Sequence, residues 1–468
     1  MAEPEREVAL QPAPPADPGG AAAAGRGAGA AAGPLAVLLA AEYDEALRCV
    51  KCGFCLEACP TYRQTGLEPA SPRGRLALVR ALVEGTLGPD AVAGPLDLCL
   101  GCRACETACP SGIRYGRVLE GARSAIAPSL ARRRSRLGRL LQRLALRHLL
   151  PHRGRLRAAV RLASAARPLL RRATGLVPAH LRELGLSMPP APDRRLWAEW
   201  ERLLRPLPDG SGWVVPAQGR RRHRVAFFPG CIQDALYLEV NLATVRVLSR
   251  TGCEVVIPAA ATCCGALHAH SGDREAARRL ARQNVEAFGR LGPVDAIVNA
   301  AGGCGAHLKE YGHLLPDDPA AAAFAARVRD LSEWLAEHGL GDATLRPLPL
   351  TVTYQDSCHL AHGQGVRAQP RQLLRAIPGL RFVEMEEADR CCGSAGIYNL
   401  LQPAMAGAVL DEKMSHAAAT GARVIVVANP GCHLQMAHGV RTHGLGAEVE
   451  VLHLAQVLDR ALTDTPRE

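Results

Sequence analysis

Two identically spaced cysteine motifs constrain this chain more than any other feature. Both read C-x-x-C-x-x-C-x-x-x-C-P, and every cysteine recurs 50 residues later. The first motif comprises Cys49, Cys52, Cys55 and Cys59, and the second motif comprises Cys99, Cys102, Cys105 and Cys109. Three cysteines at this spacing wrap one cubic iron–sulfur cluster, and the fourth points away from it. The sequence therefore predicts two [4Fe–4S] clusters.

In two-cluster proteins with this motif, the fourth cysteine ligates the other cluster. The first cubane centre is therefore predicted to take Cys49, Cys52, Cys55 and Cys109, and the second cubane centre Cys99, Cys102, Cys105 and Cys59. A pair of zinc sites is the alternative, but zinc motifs usually join two C-x-x-C knuckles across a longer spacer. A disulfide framework suits small secreted chains, and we expect no signal peptide at this acidic N-terminus.

Residues 221–468 form an internal duplication built on eight further cysteines. The first CCG quartet is Cys231, Cys263, Cys264 and Cys304, and the second CCG quartet is Cys358, Cys391, Cys392 and Cys432. The offsets between the quartets are 127 or 128 residues throughout. Strand-like apolar runs precede the cysteines and helical patterns lie between them, which predicts a parallel α/β sheet in each half. The cysteines would then lie outside the carboxyl ends of the strands, where such sheets bind ligands.

The two CCG quartets are candidate metal or redox sites. Four thiolates in each half favour an additional iron–sulfur cluster, because thiolates are ligands that select such clusters. A redox-active disulfide and cysteines that only pack in the core are the alternatives. His307 and His433 lie near the last cysteine of each quartet, as candidate ligands or as ordinary hydrogen-bonding residues.

The positive charge of the chain belongs to one segment. Residues 121–182 contain 16 arginines and no Lys, Asp or Glu, whereas the net charge of the whole chain is +11. Within this segment Leu137, Leu140, Leu141 and Leu144 have the spacing of an amphipathic helix. The segment could lie on an anionic membrane, dock an acidic partner or form a solvated linker face. Nucleic-acid binding fits poorly because aromatic residues for base stacking are absent there.

We expect an α+β multidomain chain. Its predicted parts are a disordered N-terminal tail (1–34), a helical ferredoxin-like domain with two [4Fe–4S] clusters (35–125), a helical basic connector (126–220) and two duplicated α/β CCG domains (221–345 and 346–468). The tail is rich in Ala, Gly and Pro and has few large apolar side chains to bury. No stretch of 18 apolar residues is free of charge, so no transmembrane helix is predicted.

The order of these parts resembles the iron–sulfur subunit of bacterial glycolate oxidase over roughly residues 40–465. Several short phrases carry the resemblance beyond the cysteine spacing. They are Cys52-Gly53-Phe54-Cys55, Cys59-Pro60-Thr61-Tyr62, Pro72-Arg73-Gly74-Arg75, Cys109-Pro110-Ser111-Gly112, Gly303-Cys304-Gly305-Ala306, Lys309-Glu310-Tyr311-Gly312 and Cys391-Cys392-Gly393-Ser394-Ala395-Gly396.

This resemblance implies an oxidoreductase complex that oxidises glycolate, and often D-lactate. An FAD-binding glycolate oxidase subunit would take the hydride, and this chain would pass electrons toward quinone or another membrane acceptor. The complex would be cytoplasmic and peripheral on the cytoplasmic face of the membrane. No flavin motif is evident in this chain, so the flavin belongs on a partner, and the isolated chain should catalyse nothing.

Related architectures occur in heterodisulfide reductase and in glycerol-3-phosphate and lactate-utilisation iron–sulfur subunits, which are the alternative functions. The CCG domains of heterodisulfide reductase end in C-x-x-C and so supply a fifth cysteine. Here that fifth position is Ala301 in one half and Asn429 in the other. The missing thiol favours electron relay over disulfide cleavage.

Overall fold

The computed structural model describes residues 39–172, 178–446 and 448–463. The predicted disordered tail, 1–34, lies outside these residues. The described chain begins with helices that surround the two cysteine motifs: Ala40–Leu47, Pro60–Thr65, Pro72–Val83, Pro89–Asp97, Ala104–Thr107 and Tyr115–Ala125, with a 3-10 turn at Glu68–Ala70. Prolines at the first helical position start three of them. The Ser71 hydroxyl also accepts a hydrogen bond from the Gly74 amide, capping its helix.

The predicted connector, residues 126–220, continues as helices. They are Ala127–Arg132, Arg136–Leu144, Arg153–Ala165, Arg167–Arg172, Ala179–Ser187 and Arg194–Leu203, with a π turn at Ala145–Leu149. The predicted amphipathic helix therefore forms, between Arg136 and Leu144. None of the described helices is long and apolar enough to span a membrane.

Within the described residues, ten strands form two sheets. Their bounds are β1 Arg205–Pro206, β2 Gly212–Val215, β3 His223–Phe228, β4 Cys253–Pro258, β5 Ala296–Asn299, β6 Val328–Asp330, β7 Thr351–Tyr354, β8 Arg381–Phe382, β9 Val424–Val427 and β10 Glu450–His453. The first sheet has the order β1-β2-β4-β3-β5-β6 and the second has the order β10-β9-β7-β8.

The predicted duplication is visible in the sheet topology. In both halves the first strand lies at the centre, with parallel neighbours in the orders β4-β3-β5-β6 and β8-β7-β9-β10. The helices of the first half are Ile232–Leu236, Leu238–Arg250, Ala266–His270, Arg274–Gly289, Gly302–Leu308, Tyr311–Leu314, Pro319–Arg327 and Leu331–His338. Those of the second half are Cys358–Ala361, Ala368–Arg375, Tyr398–Leu401, Pro403–Ala419, Pro430–Thr442 and Leu454–Ala461. The predicted fold class, helical at the N-terminus and α/β in two C-terminal halves, is confirmed.

The two sheets share a core. The central strands are buried on both faces, and one apolar cluster joins Val225 and Val298 of the first sheet to Val352 and Val426 of the second. The segment predicted as connector also contributes to the first sheet. Strands β1 and β2 add to its edge in antiparallel fashion, which short local runs did not predict. The predicted domain boundaries remain predictions.

Candidate metal centres

The loops of the two cysteine motifs have the same backbone shape. In each loop the third and fifth residues of the motif have left-handed conformations: Lys51 and Gly53 in the first, Gly101 and Arg103 in the second. Lys51 and Arg103 are uncommon examples, because a Cβ atom disfavours that conformation. Both loops are therefore tightly curled, which directs successive cysteine side chains toward one point.

The cysteines predicted for the first cubane centre line one small pocket. It is lined by Cys49, Cys52, Cys55 and Cys109, with Cys105 also at its wall. Cys52 is exposed, so this pocket opens to solvent. Burial raises the pKa of the Cys55 thiol to about 11, so ionisation of this thiol requires a bound cation such as a metal.

The cysteines predicted for the second cubane centre line another pocket. Cys59 from the first motif joins Cys99, Cys102 and Cys105 from the second, and all four are buried. The geometry thus brings each fourth cysteine beside the first three of the other motif. The assignment of each cysteine sulfur to one of the two clusters remains a prediction.

A fully buried arginine accompanies the second cubane centre. The Arg75 side chain is 0% exposed and donates hydrogen bonds to the Pro95 carbonyl at 2.8 Å and the Thr61 hydroxyl at 3.0 Å. One of its terminal nitrogens lies 3.9 Å from Cys59 Sγ. Among the described residues no carboxylate pairs with it, and an unpaired buried cation is strongly unfavourable. An anionic metal–thiolate centre at these cysteines would supply the missing counter-charge.

Cys99 shows the same charge balance. Burial opposes ionisation of this thiol, but Arg75 and Arg123 outweigh burial and lower its pKa below the usual value. Its sulfur also accepts hydrogen bonds from the Gly101 amide at 3.4 Å and the Tyr115 hydroxyl at 3.6 Å. Donors to sulfur stabilise the anionic form of a cluster ligand and help to set the reduction potential.

The CCG turns have a backbone that requires glycine. Gly265 has a φ of +90° and Gly393 a φ of +86°, and a Cβ at Gly393 would lie 2.5 Å from the Ala406 carbonyl oxygen. This bend allows two adjacent cysteines to turn toward one centre. The glycine of each Cys-Cys-Gly motif is therefore required by the local backbone conformation.

Within each quartet the thiols form a continuous chain. In the first, Cys231 Sγ lies 3.5 Å from Cys263 Sγ and Cys264 Sγ lies 3.3 Å from Cys304 Sγ. The same order of thiol contacts links the second quartet, Cys358, Cys391, Cys392 and Cys432. These separations are thiol contacts rather than disulfide bonds, which are about 2.05 Å long. Each half therefore gathers four sulfurs beyond the carboxyl ends of its strands.

The second CCG quartet also has a buried cation. Lys413 is 2% exposed, and its Nζ donates to the carbonyls of Glu387 at 2.6 Å and Ala388 at 3.2 Å. Hydrogen bonds from Cys391 and Cys432 hold the pKa of Cys392 well below its usual value, with a further contribution from Lys413. The quartet can therefore hold a negative charge at Cys392, while hydrogen bonds with neighbouring cysteines raise the pKa values of Cys391 and Cys432 well above the usual value.

Of the two histidines near the quartets, His433 makes other contacts, whereas the buried Nε2 of His307 has no hydrogen-bond partner among the described residues. His433 Nε2 interacts with the Val451 carbonyl at 3.1 Å, and its ring stacks on Tyr237. Burial lowers the pKa of His307 to about 4, so its ring is neutral. At the position of the absent fifth cysteine, the Asn429 amide lies 3.6 Å from Cys432 Sγ, where it donates a hydrogen bond.

The second cubane centre packs directly on the second CCG quartet. Cys102 and Cys391 are buried in the same apolar cluster, with Cys358 packed against it. Across this contact His359 Nε2 interacts with the Gly101 carbonyl at 2.9 Å, and the Tyr398 hydroxyl donates to the Leu98 carbonyl at 2.8 Å. Sequence reasoning missed these contacts, since they join residues about 260 to 300 positions apart.

Comparison with known proteins agrees with this architecture. The model of the 4Fe-4S dicluster domain matches residues 45–113, and that of the cysteine-rich domain matches 225–309 and 352–437. The chain is 44% identical to the probable glycolate oxidase iron–sulfur subunit of Bacillus subtilis, over 89% of this chain and 94% of that protein. It is 33% identical to the glycolate oxidase iron–sulfur subunit of Escherichia coli, over 90% of this chain and 96% of that protein.

A shorter relative matches one part only. Lactate utilization protein A of Exiguobacterium sp. is 32% identical over 51% of this chain and 98% of that protein. The matches over nearly the whole length, the two cubane motifs and the two CCG quartets agree on an iron–sulfur protein of electron transfer. The chain belongs to the family of glycolate oxidase iron–sulfur subunits.

Proposed function

We propose that this chain is the electron-relay subunit of a glycolate dehydrogenase complex that also accepts D-lactate. A separate FAD-binding subunit would oxidise the 2-hydroxy acid, and this chain would carry the electrons toward quinone. The observation that carries this proposal is the direct packing of the second cubane centre on the second CCG quartet. The two full-length relatives, named for glycolate oxidase, support the substrate.

The proposed centres follow the sequence-based ligand assignment. The first and second cubane centres would each hold one [4Fe–4S] cluster, with their fourth cysteines crossed. The CCG quartets would hold additional iron–sulfur clusters, supported by their four converging thiols and by the buried Lys413. Iron–sulfur clusters supply one-electron transfer at such sites.

A partner flavin is required by the chemistry of the substrate. Oxidation of a 2-hydroxy acid releases two electrons together, whereas an iron–sulfur cluster accepts one at a time. A flavin accepts two electrons and releases them singly, so it stands between the substrate and this chain. The isolated chain would therefore have no dehydrogenase activity.

The proposed location is the cytoplasmic face of the membrane, as a peripheral protein. The helix Arg136–Leu144 supports it, because its leucines are exposed and its other face is rich in arginine. Such a helix suits an anionic membrane surface.

Disulfide reduction is the second candidate function. A fifth cysteine would favour this candidate, but the corresponding positions here are Ala301 and Asn429. The relay function therefore fits the site better.

Reconstitution tests the relay. The chain and the FAD-binding subunit should be purified anaerobically, alone and together, and supplied with glycolate or D-lactate. We expect the clusters of this chain to become reduced only in the combined sample, as measured by bleaching of visible absorbance and by paramagnetic resonance. Turnover of either substrate by this chain alone, or clusters that stay oxidised in the complex, would refute the proposal.

A further inference from the structure

A deep cleft lies where the cubane motifs, the basic segment and both CCG halves meet. Its volume is about 470 Å³, within the range that holds a small organic ligand. The floor includes Cys99 and Gly101 from the loop of the second cubane centre, with Tyr398 beside them. A molecule bound on this floor would contact the backbone that surrounds that centre.

A histidine–carboxylate pair faces this floor. His270 Nδ1 lies 2.7 Å from a Glu120 carboxylate oxygen, and both residues line the cleft. Despite burial, the hydrogen bond from His270 lowers the pKa of Glu120 to about 2, so Glu120 is ionised. Among the described residues, His270 Nε2 has no hydrogen-bond partner. This nitrogen is therefore available to a ligand, while Glu120 orients the ring.

Each carboxylate that lines the cleft is already paired with a basic side chain, which argues against a cationic ligand. Carboxylates and arginines pair at 2.7 to 3.2 Å, as Glu42–Arg274, Asp97–Arg134, Asp273–Arg147 and Glu310–Arg117. Arg123 donates to the carbonyls of Leu96, Cys99 and His270. Arg139 and Arg143 also line the cleft without a carboxylate partner among the described residues, so the lining has an excess of positive charge, which suits a ligand that becomes negative when it is reduced.

The amphipathic helix Arg136–Leu144 forms one rim of the cleft. Arg139, Gln142 and Arg143 line the cleft, whereas Leu137 and Leu141 on the other face are 63% and 56% exposed. One helix thus presents polar residues to the cleft and an apolar face outward. If this apolar face lay on a membrane, a ligand leaving the membrane beside the helix would reach the cleft without crossing the rest of the protein.

We propose that this cleft binds the head group of a quinone and that His270, positioned by Glu120, donates a proton to the reduced ring. This inference rests on the relay function proposed above and assigns the place where electrons leave the chain. The quinone takes two electrons, one at a time, from the second cubane centre, which is oxidised each time. One oxygen takes the proton of the protonated His270 Nε2, the other takes a proton from water in the cleft, and solvent reprotonates His270.

The test uses the complex with its FAD-binding subunit, glycolate, and two acceptors. Decylubiquinone requires protons on reduction, whereas ferricyanide takes electrons alone. We expect H270Q to lower kcat with decylubiquinone by about a hundredfold, because a positioned acid contributes at least that much. Reduction of ferricyanide should be unchanged. H148Q is the matched control, since His148 is an exposed histidine of the same region and does not line the cleft.

Two further variants separate binding from proton transfer. A131W should fill the cleft, raise the KM for decylubiquinone and abolish the change that decylubiquinone makes in the paramagnetic spectrum of the second cubane centre. E120Q should lower kcat, and E120D should restore part of it. If glycolate fails to reduce the clusters of the wild-type complex, the proposed relay function is refuted, rather than the quinone site. Normal quinone reduction by H270Q and A131W, or equal loss with both acceptors, would overturn the quinone site.

Discussion

At the residue scale, Arg75 and Lys413 have the same environment. Both are buried cations that donate to carbonyl or hydroxyl oxygens, and neither pairs with a carboxylate in the described parts of the chain. Each lies near cysteines, Arg75 near Cys59 and Lys413 near Cys391 and Cys392. Because uncompensated burial of a charge is costly, a negatively charged centre on these cysteines would stabilise both cations.

We expect K413M to lower the reduction potential of the centre at the second CCG quartet. A reduced cluster has one more negative charge, which Lys413 stabilises. For two unit charges a few ångströms apart at an effective dielectric constant of about 20, the interaction is on the order of 2 to 3 kcal/mol, or on the order of 100 mV. A redox titration followed by paramagnetic resonance measures the shift.

Lys309 provides the matched control for this experiment. Its Nζ lies 2.8 Å from the Glu333 carboxylate, so its charge is already balanced. K309M should leave the reduction potential of the centre at the second CCG quartet within a few tens of millivolts of the wild-type value. K413R, which keeps the positive charge, should shift this potential much less than K413M. Equal shifts in K309M and K413M would contradict the role given to Lys413.

At the scale of elements, the two motif loops exchange their fourth cysteines. Cys109 lies with Cys49, Cys52 and Cys55, and Cys59 lies with the cysteines of the second motif. We expect C109S to perturb the first cubane centre and C59S to perturb the second. A soluble paramagnetic relaxant distinguishes the two in spectra of the reduced protein, because Cys52 is exposed and the second centre is buried. If C109S instead removes the signal of the buried second cubane centre, which the relaxant does not reach, the crossed assignment is wrong.

The helix Arg136–Leu144 presents its leucine face to solvent. This face is exposed because no other helix of the described chain covers it. Its residues are Leu137, Leu140, Leu141 and Leu144. We expect the purified chain to sediment with anionic vesicles and much less with neutral ones. Each arginine near such a surface contributes about 1 kcal/mol, and salt screens this attraction.

Two double variants test this surface. R136E/R143E should abolish sedimentation with anionic vesicles, and L137S/L141S should weaken it. L162S is the control, because Leu162 is 72% exposed in the same basic segment but lies outside the stripe. Wild-type chain that remains in the supernatant with anionic vesicles would favour docking to an acidic partner subunit instead.

Elements with a local signal were predictable from the sequence. The spacing of the leucines predicted the helix Arg136–Leu144, and the repeat of the cysteines predicted two halves with parallel strands. The pairing of β2 with β4 was not predictable, because it joins the end of the predicted connector to a strand about 40 residues later. Edge pairing of this kind depends on the space that the rest of the fold leaves open.

In the candidate site, too, the features with a local sequence signal were predictable and those set by tertiary packing were not. All sixteen cysteines of the motifs and quartets were identifiable, since their spacing is itself the signal. Arg75 stands in a recognisable phrase, but its complete burial follows from tertiary packing. The pair of Glu120 and His270 joins residues 150 positions apart, and neither has a distinctive neighbour in sequence.

At the scale of the whole molecule, the cubane region is held against both halves of the duplication. Arg63 pairs with Glu412 of the second half at 2.6 Å, and Glu42 pairs with Arg274 of the first half at 3.2 Å. The apolar core of the cubane region is small and includes cysteines as packing residues. The sheets, in contrast, share a large core of aliphatic side chains. Loss of metal should therefore affect the two parts differently.

We expect removal of iron to unfold the cubane region, residues 40–125, while both sheets persist. Before removal, the anaerobic chain should contain at least about eight irons and eight acid-labile sulfides, the content of two cubes. Chelation under reducing conditions leaves Arg75 and the buried thiols without their counter-charges, and metal sites of this kind contribute directly to folding. Hydrogen exchange should then show lost protection at 72–83 and 115–125 and retained protection at β3, β5, β7 and β9. Uniform loss across the chain would contradict this expectation, and zinc without labile sulfide in the purified protein would refute the cubane assignment itself.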